Sequence, residues 1–346
     1  MKLTEMILWP FSILYGAVSH LRARAYRTGL LKPKRLDAIV ISVGNLTVGG
    51  TGKTPMVLWI AEKLLAEGKH VGILTRGYRG EIVATDASGT GEATSSTSDE
   101  VQLLQARLGD RVRFGIGANR FEKGAQLAVS GVDWFVLDDG FQHLQLARNV
   151  DIVLVDATNP FGGGHLLPGG RLREPMSALR RADLVVITRT SNAPGLERAI
   201  QRHTNAPIFY ARPRLDAIRY VEAGRLSDSV AMDITGKLFA FCGIGNPHSF
   251  LFTLRDSGLE IVGHQFFTDH HRYTKMDAAQ VILAARAVGA TALICTEKDL
   301  YNLSDAFDGS IDLLCATISM MIERQDDFWH QIISIVNGRT PEKFKD

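Results

Sequence analysis

The sequence predicts an α/β protein with a mostly parallel sheet, a smaller C-terminal α/β domain and a separate N-terminal helix. Three observations carry that prediction. Short apolar, β-branched runs recur at 38–43, 71–75, 133–138, 151–156 and 183–188, the kind buried on both faces of a parallel sheet. A glycine-rich loop ending in Lys53-Thr54 joins the first run to a helical stretch at 55–65. A second series of strands starts at 237–242, resumes at 292–299 and 312–318, and ends in a helical stretch at 323–336. The expected division is 1–35 for the N-terminal helix and its basic segment, 36–225 for the larger domain and 226–346 for the smaller one.

The glycine-rich stretch organises the chain. It reads Val43-Gly44-Asn45-Leu46-Thr47-Val48-Gly49-Gly50-Thr51-Gly52-Lys53-Thr54, with Pro55 suited to the first helical turn behind it. Strand, glycine-rich loop, Lys-Thr and helix is the order of a P-loop. Glycines let backbone N–H groups turn inward around phosphate oxygens, and the helix N-terminus adds a favourable dipole. Thr47, Val48, Gly49, Gly50, Thr51, Gly52, Lys53 and Thr54 are therefore the candidate nucleotide-binding residues. Lys53 would hold the β- and γ-phosphates, and the Thr54 hydroxyl would ligate Mg²⁺. The spelling departs from the common form, which has glycine where Thr47 stands. It resembles the loop of membrane-associated switch ATPases, but those carry a lysine at the place of Val48.

Composition bounds the rest. With 346 residues, 45% apolar and 22% charged, the chain buries a large core and is not a disordered one. A formal net charge of +2 gives no reason to expect a nucleic-acid partner. Cys242, Cys295 and Cys315 are far apart and read as core residues of a reduced compartment.

Residues 6–21 are nearly all apolar, and Arg22, Arg24, Arg27, Lys32, Lys34 and Arg35 follow them. A signal peptide has its charge first and a small-residue cleavage site last, which is the reverse order. Spanning a bilayer takes about 20 apolar residues. The expectation is a helix lying in or dipping into a membrane surface, with Trp9, Phe11 and Tyr15 near the headgroups and the basic block on anionic lipid. The alternative is an ordinary amphipathic helix packed on the domain.

Further along, Arg76 and Arg79 follow the strand 71–75, where they either face phosphate or are plain surface arginines. Residues 84–98 read as a loop. Asp99, at the start of a helical stretch, is either an N-cap or a carboxylate at the mouth of the nucleotide site. The run 133–138 ends in Asp138-Asp139-Gly140, as a metal-binding strand does; one carboxylate would serve Mg²⁺ and the other a different partner. Residues 161–175 are too polar and glycine-rich for a core element, and Arg173 and Glu174 carry usable charge there. Strand 207–211 and a connecting stretch near 212–236 mark the expected boundary. Asp269-His270-His271 is either part of a metal site that lacks a third ligand, or a histidine polarised by aspartate near a phosphate. Thr296-Glu297-Lys298-Asp299 does not match the guanine-reading motif.

Together these stretches resemble one family over nearly the whole chain, the tetraacyldisaccharide 4'-kinases of Gram-negative bacteria. The resemblance rests on the apolar N-terminal helix with trailing basic residues, Val43 to Pro55, Thr75 to Tyr78, Asp99-Glu100, Asp138 to His143, Leu166 to Pro175, Gly243 to Pro247, Asp269 to Tyr273, and Thr296 to Asp299. One departure is Ser98-Asp99-Glu100-Val101, where the family has G-D-E-P. The resemblance implies a P-loop NTPase-like kinase domain that transfers the γ-phosphate of ATP to the 4'-hydroxyl of a tetraacylated glucosamine disaccharide 1-phosphate. It places the enzyme at the cytoplasmic face of the bacterial inner membrane, in contact with the lipid surface. It further implies that Asp99 is the base, assisted by Asp139 and His270 with Asp269 behind. Thr54, Asp138, Gln142 and Glu174 would form the Mg²⁺ neighbourhood, and Arg76 and Arg173 would face phosphate. The second reading is a membrane-associated P-loop switch ATPase.

Overall fold

The structure, a computed structural model, describes residues 3–77, 98–222, 225–230, 236–303 and 306–339. The loop expected at 84–98 lies outside the described residues except for Ser98, as do Tyr78 and Arg79. In chain order the elements begin with α1 (Leu3–Arg27), β1 (Ile39–Asn45), α2 (Lys53–Ala66), β2 (Val71–Thr75), α3 (Asp99–Leu108), β3 (Val112–Ile116), α4 (Arg120–Val129) and β4 (Trp134–Asp138). They continue with β5 (Val150–Asp156), β6 (Leu184–Thr188), α5 (Pro194–Gln201), β7 (Ile208–Glu222), β8 (Arg225–Val230), β9 (Leu238–Cys242) and α6 (Pro247–Asp256). The last are β10 (Ile261–Phe266), α7 (Lys275–Ala287), β11 (Ala292–Thr296), α8 (Glu297–Leu300), β12 (Asp312–Ile322) and α9 (Gln325–Arg339).

The chain forms two compact units, each drawn from more than one segment of the sequence. Unit 1 holds residues 1–97, 107–212 and 321–346; unit 2 holds 98–106 and 213–320. Packing is the reason for the first exchange. Phe328 of α9 is fully buried and meets the rings of Trp59 on α2 and Phe209 at centroid distances of 5.6 and 5.0 Å, so the end of the chain completes the core of unit 1. The expected connecting stretch at 212–236 is corrected, because β7 runs through residue 222 and turns back antiparallel as β8.

Within unit 1, seven strands lie parallel in the order β7-β6-β5-β1-β4-β2-β3. Every residue of β1, β4 and β5 is buried, as continuous apolar runs in a doubly covered sheet require. Parallel strands put their carboxyl ends on one edge, where sites in such folds form. The register pairs Val43 with Asp138, so the start of the glycine-rich loop and the end of β4 are neighbours. Unit 2 has its own parallel set, β10-β9-β11-β12, with α6 and α7 packed through Phe250, Leu254, Val281 and Ile282.

α1 contains the apolar segment predicted at 6–21 and continues past Pro10 without ending. One side packs on the 161–175 loop: Ser12 Oγ accepts from the Gly169 amide at 2.9 Å, and a side chain at Gly16 would collide with Leu166. Phe11, Leu14, Val18 and Leu21, at helical spacing, form an exposed stripe, each about 60% exposed. Among the described residues no helix is long and apolar enough to cross a membrane.

Phe328→Ala should lower stability by about 3–5 kcal/mol, the usual cost of emptying an aromatic core position. Urea unfolding followed by tryptophan fluorescence measures it. A loss below about 1 kcal/mol would mean that α9 is not part of the core of unit 1.

Candidate active site

In unit 1 the glycine-rich loop follows β1 and runs into α2, and its carbonyls are tied off one after another. Gln142 Nε2 donates to Asn45 O at 2.9 Å, Arg171 Nη2 to Val48 O at 3.0 Å, Arg189 Nη2 to Gly50 O at 2.7 Å and Thr188 Oγ1 to Thr51 O at 3.1 Å. Asn45 Nδ2 also holds Thr51 Oγ1 at 2.9 Å. The Val48 amide is used too, donating to Arg171 O at 2.9 Å. With these carbonyls engaged, the remaining amides are free to turn toward an anion. Gly49 has φ +113°, and a side chain there would meet the Arg171 guanidinium. Gly52, at φ 92°, is the N-cap of α2 and supplies no side-chain acceptor, so the first-turn amides remain for a phosphate.

Lys53 Nζ stands 3.6 Å from Asp139 Oδ1, and Arg173 Nη1 donates to Asp139 Oδ2 at 2.6 Å. Burial raises the Asp139 pKa, but Lys53 and then Arg173 more than offset it and hold the carboxyl below its ordinary range. Asp138, buried, accepts from Thr75 Oγ1 at 3.2 Å. The Thr54 hydroxyl, Asp138 and Asp139 are the oxygen donors beside the loop. Among the described residues no group of three or more His, Cys, Asp or Glu could hold a metal unaided. A hard cation that keeps waters and takes one or two carboxylates plus phosphate oxygens fits this set; a protein-caged metal does not.

Gln142 and Glu174 are drawn into a tie. Arg181 donates to both Glu174 oxygens at 2.8 and 2.9 Å, and Gln142 Nε2 reaches Glu174 Oε1 at 3.2 Å. Arg181 also lies over the Phe141 ring, 4.4 Å from its centroid. Arg76 is exposed at the end of β2. Two residues not singled out from the sequence stand nearby in the same charge field. His143 Nδ1 is 3.2 Å from Arg120 Nη1, and burial first, then Arg120, Arg148, Arg22 and Arg76, press its pKa down to about 4.

In unit 2, Asp99 sits on the first turn of α3, buried, with His270 Nδ1 at 2.9 and 2.8 Å from its two oxygens. Asp269 Oδ2 stands 3.8 Å from His270 Nε2. Burial raises the Asp99 pKa, but the His270 hydrogen bond and the Lys298 charge outweigh it and bring it below the ordinary value. The same hydrogen bond raises His270. His271 is committed elsewhere, stacked on Phe267 and 3.2 Å from Asp277. The residues alone, apart from the family resemblance, do not distinguish the two histidines; the backbone separates them, since His270 adopts φ 60° and donates its amide to Gly243 O. Of the residues expected to assist Asp99, His270 touches it directly, whereas Asp139 contacts Lys53 and Arg173.

Arg189 and Thr188 were not foreseen, because an arginine after a strand carries no motif. Arg189 has φ 67° and pairs with Asp156 as well as with Gly50 O. Arg189→Ala should weaken nucleotide binding about tenfold, a loss of ~1.4 kcal/mol in holding one loop carbonyl. Isothermal titration with ATP measures it, and an unchanged affinity would show that the loop keeps its shape without the arginine.

The chain matches the family model described as tetraacyldisaccharide-1-P 4'-kinase over residues 4–337. It is 37% identical to the tetraacyldisaccharide 4'-kinase of Anaeromyxobacter sp. strain Fw109-5, covering 94% of this chain and 90% of the relative. It is 40% identical to the tetraacyldisaccharide 4'-kinase of Geobacter sulfurreducens, covering 88% and 85%. Among solved structures it is similar to LpxK from Aquifex aeolicus, described as an "apo" form in complex with ATP, with a TM-score of 0.71, 30% identity and coverage of 96% and 99%. The resemblance noted in the sequence therefore holds over nearly the whole chain, in sequence and in fold, and this chain belongs to the tetraacyldisaccharide 4'-kinase family.

Proposed function

We propose that this chain transfers the γ-phosphate of ATP to the 4'-hydroxyl of a tetraacylated glucosamine disaccharide 1-phosphate, a step of lipid A synthesis. The observation that carries this reading is the loop before α2, whose carbonyls are held by Gln142, Arg171, Arg189 and Thr188 behind Lys53 and Thr54. A switch ATPase would share such a loop, but family membership and the Asp99–His270 pair favour a kinase with an acceptor.

Lys53 and Arg173, now paired with Asp139, are the cations that would pass to the phosphates when nucleotide binds. Residues 47–54 supply the amides, and Arg76 adds positive charge. Thr54 and Asp138 would hold Mg²⁺, with Gln142 and Glu174 ordering the surroundings. The ion would neutralise charge on the phosphate oxygens. Asp99 takes the hydroxyl proton, His270 orients the carboxylate, and Asp269 acts on the far ring nitrogen. Positioning and charge neutralisation supply most of the acceleration.

The acceptor's four acyl chains keep it in a bilayer, since burial is worth roughly 0.8 kcal/mol per methylene. The exposed stripe Phe11-Leu14-Val18-Leu21 offers an apolar face to that bilayer, followed by Arg22, Arg24 and Arg27 for anionic headgroups. This supports peripheral association at the cytoplasmic face of the bacterial inner membrane.

The test is transfer of labelled phosphate from ATP to tetraacyldisaccharide 1-phosphate in mixed micelles, with Lys53→Ala as the inactive control. Labelled lipid is expected; ATP hydrolysis with no labelled lipid would favour the switch ATPase. Asp99→Asn should lower kcat by about 10²- to 10⁴-fold with the ATP Kd within about twofold of wild type. An equal loss in ATP binding would sink the base assignment. Replacing Phe11, Leu14 and Val18 together by serine should reduce co-sedimentation with phosphatidylethanolamine–phosphatidylglycerol vesicles by about 10²-fold or more, given about 1.5–3 kcal/mol per buried apolar side chain. ATP affinity should not change, and unaltered vesicle binding would refute the membrane role of α1.

A further inference from the structure

The Thr296-Glu297-Lys298-Asp299 turn has no part in the reading above, yet it touches both sides of the Asp99–His270 pair. Asp299 is buried, and four donors converge on it: the Gly243 amide at 2.7 Å, Tyr273 Oη at 2.7 Å, Thr296 Oγ1 at 2.5 Å and the Thr296 amide at 3.2 Å. Gly243 O in turn accepts the His270 amide at 3.0 Å. Tyr273 lies three residues beyond His270 in the same loop. Asp299 thus grips the backbone that presents His270 and, through its capping box with Thr296, the start of α8. From that fixed start Lys298 Nζ reaches Glu100 Oε1 at 2.8 Å. Glu100 follows Asp99, and its amide donates to Asp99 Oδ1 at 2.9 Å.

We propose that Lys298 is a positioning residue for phosphoryl transfer, holding the helix turn that carries Asp99 in register with His270 and keeping that carboxylate charged. The inference rests on Asp99 being the base. Two competing demands act on this carboxylate. It is buried, which disfavours charge, and a proton acceptor must be charged to work. His270 supplies one compensating contact directly, and Lys298 supplies positive charge from the side of Glu100. Burial disfavours the charged ammonium, but Glu100 and Asp99 outweigh it and keep Lys298 protonated. Among the described residues, His270, Lys298 and Glu100 face Asp99, and Asp99, Asp269 and Lys298 face His270.

Lys298→Met, Lys298→Arg and Asp99→Asn test this in the full chain, by steady-state transfer to tetraacyldisaccharide 1-phosphate across pH. Lys298→Met should lower kcat about 10- to 100-fold through misplacement of the base, with the KM for ATP nearly unchanged. Its acid limb should move to higher pH, because removing the positive charge raises the pKa of Asp99 and of His270 alike. Lys298→Arg should recover most of the activity and the wild-type pH profile. A merely structural lysine would change thermal stability but leave the pH profile in place. Should Lys298→Met fail to fold, Lys298→Gln removes the same charge while keeping a polar side chain beside Glu100 and is expected to show the same shift. An inactive Asp99→Asn beside a Lys298 variant with unchanged kcat and pH profile overturns the inference alone. Full activity in Asp99→Asn removes the base reading and this inference with it.

Discussion

A loop that binds phosphate through its amides must put its carbonyls somewhere else. In unit 1 that constraint sets the role of side chains far from the loop in sequence. Gln142 comes from the turn after β4, Arg171 from the glycine-rich 161–175 segment, and Thr188 and Arg189 from the end of β6. They converge because parallel strands deliver all their carboxyl ends to one edge, and β1 lies between β4 and β5. The loop is therefore shaped by its neighbours. Its departure from the common spelling, with Thr47 in a glycine's place, is absorbed at a point where Thr47 pairs with Leu172 as a short bridge and needs no positive φ.

Non-glycine residues with positive φ cluster at the two candidate sites. Of the four among the described residues, Asp139, Arg189 and His270 belong to the two sites, and only Arg324 does not. Such conformations cost on the order of 1–3 kcal/mol each and persist only when several contacts over-determine them. Asp139 has Lys53 and Arg173, Arg189 has Asp156 and Gly50 O, and His270 has Asp99 and Gly243 O. Each contact set includes a charge-assisted bond, which is the stronger kind.

What could be read from the sequence divides along physical lines. The strands at 71–75, 133–138 and 183–188 were legible because burial on both faces leaves no polar positions to confuse the pattern. β3 and α4 were passed over: β3 is only partly buried, and α4 buries just Arg120 and Gly124 fully. The P-loop and the paired aspartates were legible because their chemistry is local in sequence. The Asp99–His270 contact spans 171 positions and was reached only through family resemblance; spacing alone offered a metal reading equally well. The make-up of the two compact units is equally non-local. Residues 98–106 belong to unit 2 and the last 26 residues to unit 1, and nothing in a linear composition profile records such an exchange.

The two sites solve one electrostatic problem in the same way. Asp139 and Asp99 are both withdrawn from water, which by itself pushes their pKa values up, and both are held below the ordinary carboxylate range by the cationic and hydrogen-bonding groups fixed around them. A carboxylate held below its ordinary pKa is a weak base, which at first sight suits proton abstraction poorly. Phosphoryl transfer relaxes that demand. Its transition state is loose in most analyses, with little bond formation to the attacking oxygen, so the hydroxyl needs orientation early and a proton acceptor only as the new bond closes. What the carboxylate must supply is a lone pair in a fixed place at every working pH. If Asp99 is the base, as proposed, a buried aspartate hydrogen-bonded by His270 and faced by Lys298 meets that requirement, whereas a stronger but more mobile base would not.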